Sequence, residues 1–123
     1  MTVREVYEIG ISYIPELPSD NPDLQGYIVG WMNMMLLETF EVENSIREWA
    51  GEEKLQIPQI VKTLNDELIY HDSLVLGAFP YGIAANAFID DDNDYRSNKM
   101  AQYYVRGVNA ANKYIPHAIK DLY

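Results

Sequence analysis

The stretch "LVLGAFPYGIAANAFI" restricts the fold more than any other part of this chain. Gly77, Ala78, Gly82, Ala84, Ala85 and Ala87 give it very small side chains within an otherwise apolar run. A helix of that composition gains little from its own side chains. It is suited to close approach by another helix. Asp72 or Ser73 can cap its start, and Pro80 removes one backbone hydrogen bond inside it, so a kink is expected there. The acidic stretch "IDDDNDYRSNK" follows directly. Its acids and amides suit the positive end of a second helix, with Asp92, Asn93 or Asp94 as the cap. Together these features predict an α-hairpin over 73–115, with the last helix running from about Asp94 to Ile115.

A calcium loop is the main competing reading of the acids. Asp90, Asp92 and Asp94 fall at loop positions one, three and five. Position six requires Gly and holds Tyr95, and position twelve requires Glu and holds Ala101. The loop fails where its geometry is most demanding. Paired catalytic carboxylates would need an apolar pocket to separate their pKa values, and adjacent acids at a helical joint do not provide one.

Upstream, Thr2 and Glu5 form a capping box that starts a helix ending near Ile14. "PELPSDNP" reads as a linker, with Asn21 as cap and Pro22 as first helical residue. Leu24, Ile28, Trp31, Met35, Thr39 and Val42 recur at threes and fours, which predicts a long helix. It ends at Gly51, either continuous or broken near Glu41. Met32, Met34, Met35 and Met100 read as core filler. "GEEKLQIPQIVKTLNDELIYHD" reads as an extended strap, because Pro58 and its β-branched residues disfavour helix; residues 57–70 leave room for a short β-hairpin. The expected architecture is all-α, a compact helical bundle with a C-terminal kinked α-hairpin. One helical domain spans 1–123: an N-terminal helix and linker (1–18), a long helix (19–51), the strap (52–72), the hairpin (73–115) and a tail (116–123).

The chemistry of catalysis is missing from the sequence. With no Cys, thiolate catalysis and Cys-ligated metal sites are excluded. The two histidines, His71 and His117, read as surface or cap residues. The glycines form no phosphate-binding loop and the serines no nucleophile elbow. No catalytic residue, cofactor, metal or small-molecule substrate is expected. The start has no signal-peptide pattern and the apolar runs are far too short for a membrane span, so a soluble, cytoplasmic product without a membrane partner is expected.

Charge is more informative. The net charge is −10, yet residues 1–94 carry eighteen acids and four bases while 95–123 carry five bases and one acid. An acidic body with a basic last helix can attract copies of itself. At about 100° per residue, Ala101, Tyr104, Val108, Ala111 and Ile115 form an apolar seam on that helix. Lys99, Arg106 and Lys113, seven residues apart, lie opposite, with Arg96 to one side and Tyr103 and Tyr114 flanking. An ordinary solvated face would look the same. In a chain this acidic, the stripe points to a protein contact rather than to nucleic acid, whose binding rests on phosphate neutralisation.

"YIVGWMNMMLLETFEVENSIREWAG", "IVKTLNDELIYHDSLV" and "PYGIAANAFIDDDNDYRSNKMAQYYVRGVNAANKY" follow one another in this order. This layout, over most of residues 20–115, resembles small structural proteins of the head–tail connector (adaptor, neck) type in tailed bacteriophages and prophages. The resemblance implies a non-enzymatic, mostly α-helical protein that self-assembles, as a ring, between portal and tail components. It implies a place in the bacterial cytoplasm during assembly and then in the virion. A different class also fits the acidic body: a small DNA mimic or inhibitor of a host nucleic-acid enzyme.

Overall fold

A computed structural model describes residues 1–14, 22–90 and 93–113, with backbone alone for 22–24 and 90. Its helices are α1 (Val3–Ile11), α2 (Pro22–Glu38), α3 (Phe40–Trp49), α4 (Asp72–Val75), α5 (Phe79–Asp90) and α6 (Asp94–Ala111). Among the described residues there is no strand, only an isolated bridge between Thr2 and Glu67. The fold is all-α.

Helix α5 lies at the centre, and α1, α2 and α6 pack around it. Phe79, Ile83, Ala84, Ala87 and Phe88 are buried along its length. The small residues permit the approach foreseen for them. A Cβ on Gly10 of α1 would lie 2.7 Å from the Pro80 carbonyl oxygen, and one on Gly82 would strike the Met35 sulfur and approach the Tyr104 ring. The hairpin partner α6 is capped by Asn93, whose side chain accepts the Arg96 N–H. Asp94, also a candidate cap, is the first residue of α6, and the side chains of Asp90 and Asp92 lie outside the described ones.

Three boundaries differ from expectation, the first being α6, which stops at Ala111 with Asn112 as its C-cap rather than near Ile115. Helix α1 ends at Ile11 rather than near Ile14, with Ser12 as its C-cap. The long helix, left open between continuous and broken near Glu41, is interrupted at Thr39, whose buried hydroxyl donates to Met35 O at 2.7 Å. Such back-bonding by a β-branched residue distorts a helix locally. The backbone path nonetheless continues, with Glu43 N–H on Thr39 O, and α3 ends at Trp49 with Ala50 as its C-cap, followed by Gly51, the one described glycine with positive φ (76°). The hairpin's bend does not lie at Pro80. The chain breaks at Leu76–Ala78, and Pro80 sits in the first turn of α5, where a missing N–H costs nothing. Gly77 turns its carbonyl toward Gly107 of α6, so a long-range contact sets the break.

The strap at 52–71 has no helix and no β-hairpin. Without a ladder, its backbone needs side-chain partners. Asn33 of α2 accepts from Val61 N–H (2.8 Å) and donates to Val61 O (3.0 Å). Asn44 of α3 does the same for Leu55, at 2.8 and 3.0 Å. Each amide mimics a peptide unit. Tyr70 anchors the far end by donating to Leu36 O at 2.6 Å, and burial pushes its phenol up to about 12. The stretch Asp72–Ile89 is apolar and long enough, by composition alone, to cross a membrane, which the sequence reading denied of every stretch; 61% of it is buried in this core.

Candidate protein-contact surface

Helix α6 turns its seam inward through Ser97, Tyr104, Val108 and Ala111. Buried Ser97 donates to Ala85 O at 2.9 Å, which fixes the rotation of α6 about its axis. The opposite face therefore carries Arg96, Lys99 and Arg106 into solvent, and Lys113 just beyond the helix is also exposed. Ala101 is half-buried and lines the outer surface instead of the core. Burial, then the Glu38 charge, holds the Tyr104 phenol well above its usual value, so it stays neutral.

Three of the four cations are held by rings. The Arg96 guanidinium lies 5.7 Å from the Phe88 centroid, Arg106 lies 5.8 Å from Tyr103, and the Lys113 ammonium lies 5.9 Å from Trp49. Such contacts help to position a cation at the surface. Tyr103 belongs to an aromatic row: its ring is 5.4 Å from Tyr81, which stacks on Tyr13 at 5.2 Å. Arg96, Lys99 and Tyr103 converge, with Tyr13, Phe88 and Tyr95, on a cleft of about 410 Å³. Arg106 borders a second, shallower groove, and Lys113 sits apart, with its N–H on Ser45 Oγ of α3. Tyr114, the remaining site residue expected from sequence, lies outside the described residues.

Sequence reasoning missed Tyr13, Tyr81, Phe88 and Trp49 as partners of the basic face. Tyr13 and Phe88 read as ordinary apolar positions, and nothing local ties them to α6.

A second polar centre lies at the junction of α3 and the strap. Glu43 is fully buried and accepts from Arg47 Nε (2.6 Å), His71 N–H (2.7 Å) and His71 Nδ1 (2.8 Å). His71 Nε2 lies 2.7 Å from Glu52, and Arg47 donates to Ile69 O at 3.0 Å. Burial works to lower the His71 pKa, but the hydrogen bonds and charges of Glu43 and Glu52 outweigh it and raise it above 6.5. With both ring nitrogens engaged, His71 is placed as a tie and not as a free base. His117 lies outside the described residues. Among the described residues, no group of three His, Asp or Glu is arranged to hold a metal.

Comparison with known protein families, curated proteins and solved structures finds no match.

Proposed function

We propose that this chain is a non-enzymatic structural protein that assembles with copies of itself and with other proteins through the outer face of α6. The observation that carries this reading is the row of Arg96, Lys99, Arg106 and Lys113, all exposed, three of them seated on aromatic rings, on a chain whose first 94 residues hold eighteen acids. One exposed ion pair contributes only about 0–1 kcal/mol, but complementary rows steer encounter and set register at every copy of an interface. The resemblance to head–tail connector proteins supplies the setting: a virion component that meets portal or tail proteins. Unlike faces meeting head to tail close into a ring when the rotation permits.

The test is Arg106→Glu with Lys113→Glu. Both positions are exposed, so the fold should survive while the assembled mass falls, with weaker dependence on salt. Unchanged assembly of this variant at low salt would reduce the row to a solvated face.

A further inference from the structure

The chain's glycines sort by cause, and two are left over. Gly51 has positive φ, while Gly10, Gly77, Gly82 and Gly107 each sit where an added Cβ would strike a neighbouring atom. Gly26 and Gly30 have neither reason. Their φ is not positive, and no atom of the described residues lies within 4 Å of a Cβ at either position. Both weaken α2 with no return inside the folded chain.

They occupy its outward face, where Tyr27, Met34 and Leu37 are 55, 60 and 67% exposed. Positions 26, 30, 34 and 37 follow helical spacing within α2, so this is one ridge. No charged residue lies between Gln25 and Leu37, and exposed Glu38 and Glu41 follow the ridge at the Thr39 interruption, with Glu38 bordering Tyr104 and Val105 of the same chain's α6. The inward face is already filled by Ile28, Met32, Met35 and Leu36. A helix apolar on both sides has a second surface to cover.

We propose that this α2 ridge seats against the outer face of α6 on a second copy of the chain. The inference rests on the self-assembly reading above and names the surface that the basic face meets. Charge complementarity selects the occupant. The chain has no basic residue between Arg4 and Arg47, and no acidic residue between Asp94 and Asp121. The outer face of α6 offers a shallow groove of about 560 Å³ lined by Asn98, Ala101, Gln102, Val105 and Arg106. Val105, 53% exposed, gives it an apolar floor, and Lys99 and Arg106 supply the charge that Glu38 and Glu41 require. The glycines let two helix backbones come close. Three large side chains more than half exposed amount to roughly a few hundred Å², the size at which an apolar patch marks an interaction site. The polar rim supplies the rest of a stable interface. Because the two faces differ, each copy keeps one of each free, and assembly extends past a dimer until it closes.

The test is light-scattering mass on the full chain at low salt. Met34→Lys with Leu37→Lys should weaken assembly at least tenfold without moving the thermal midpoint of the dissociated chain. Gly30→Leu, which adds bulk where the monomer has open space, should do the same. Glu38→Lys with Glu41→Lys should also dissociate it, and adding Lys99→Glu with Arg106→Glu should restore the mass, since both faces are then reversed. If the α2 variants keep the parent mass while Arg106→Glu with Lys113→Glu loses it, the α2 inference is wrong and the α6 reading stands. A fourfold variant that folds but stays dissociated overturns the pairing. A parent chain that is monomeric throughout overturns both.

Discussion

Glu43→Gln removes the charge of a fully buried carboxylate and leaves its shape intact. The Glu43 carboxylate is fully buried and takes three hydrogen bonds. One oxygen serves Arg47 Nε and His71 Nδ1, and the other serves the His71 backbone N–H. An amide can place its oxygen at only one of these sites. Its NH₂ group then faces a donor at the other, leaving one buried N–H unpaired. Hydrogen bonds to charged groups contribute about 1.5–3 kcal/mol each, and an uncompensated buried cation adds to the loss. Arg47 keeps its bonds to the Ile69 and Glu53 carbonyls, which limits the damage. The net cost should be about 2–4 kcal/mol, roughly a 10 °C fall in Tm for a domain of this size. Urea and thermal unfolding of the dissociated chain measure it directly. The strap should also loosen first, seen as faster amide exchange at Ile69 and His71. A Tm within about 2 °C of the parent would refute the reasoning, because Glu43 would then be solvated or replaceable by water.

The remaining predictions are independent of that one. His71 has a raised pKa in the folded chain, so its contribution is complete below its ordinary value of 6.5 and is lost as pH rises through the raised value. Glu5 and Asp66 are lowered by bonds from Thr2 and from Lys62 and Thr63, so their contributions hold above 4.5 and 3.8 and are lost on acidification. Stability should therefore decline on both sides of a mildly acidic maximum, and His71→Gln should flatten the alkaline side; an unchanged profile would contradict the tie. Gly107→Ala places a Cβ against the Gly77 carbonyl and should cost about 1–3 kcal/mol in urea unfolding, whereas no cost would mean α6 does not pack on the Leu76–Ala78 break. Gly26→Ala and Gly30→Ala should each stabilise the dissociated chain by about 0.4–1 kcal/mol, and a loss instead would show that this face packs internally.

The elements that were legible in the sequence are those with local causes. Thr2 and Glu5 form the capping box reciprocally, at 3.2 and 3.0 Å. Gly51 and Asn93 end and begin helices as their types suggest. The rotation of α6 followed from the spacing of Tyr104, Val108 and Ala111, and with it the exposure of Arg96, Lys99 and Arg106. What was not legible depends on distant partners. Pro80 drew attention to itself, but the break is set by Gly77 against Gly107, thirty residues away. Met34 reads like Met32 and Met35, yet it faces out because α2 shows α5 only one side. Glu43 looks like any acid in an acidic chain, and only the return of the strap brings His71 to it. The strap itself read as extended, but the two Asn side chains that pair its backbone gave no local sign.

The central claim is that an acidic body and a basic last helix make this chain assemble with itself. Sedimentation velocity of the unmodified protein at low and at high salt tests it most directly. Species larger than a dimer are expected at low salt, dissociating as salt screens the α6 row. A single monomeric boundary at low salt and micromolar concentration would contradict it.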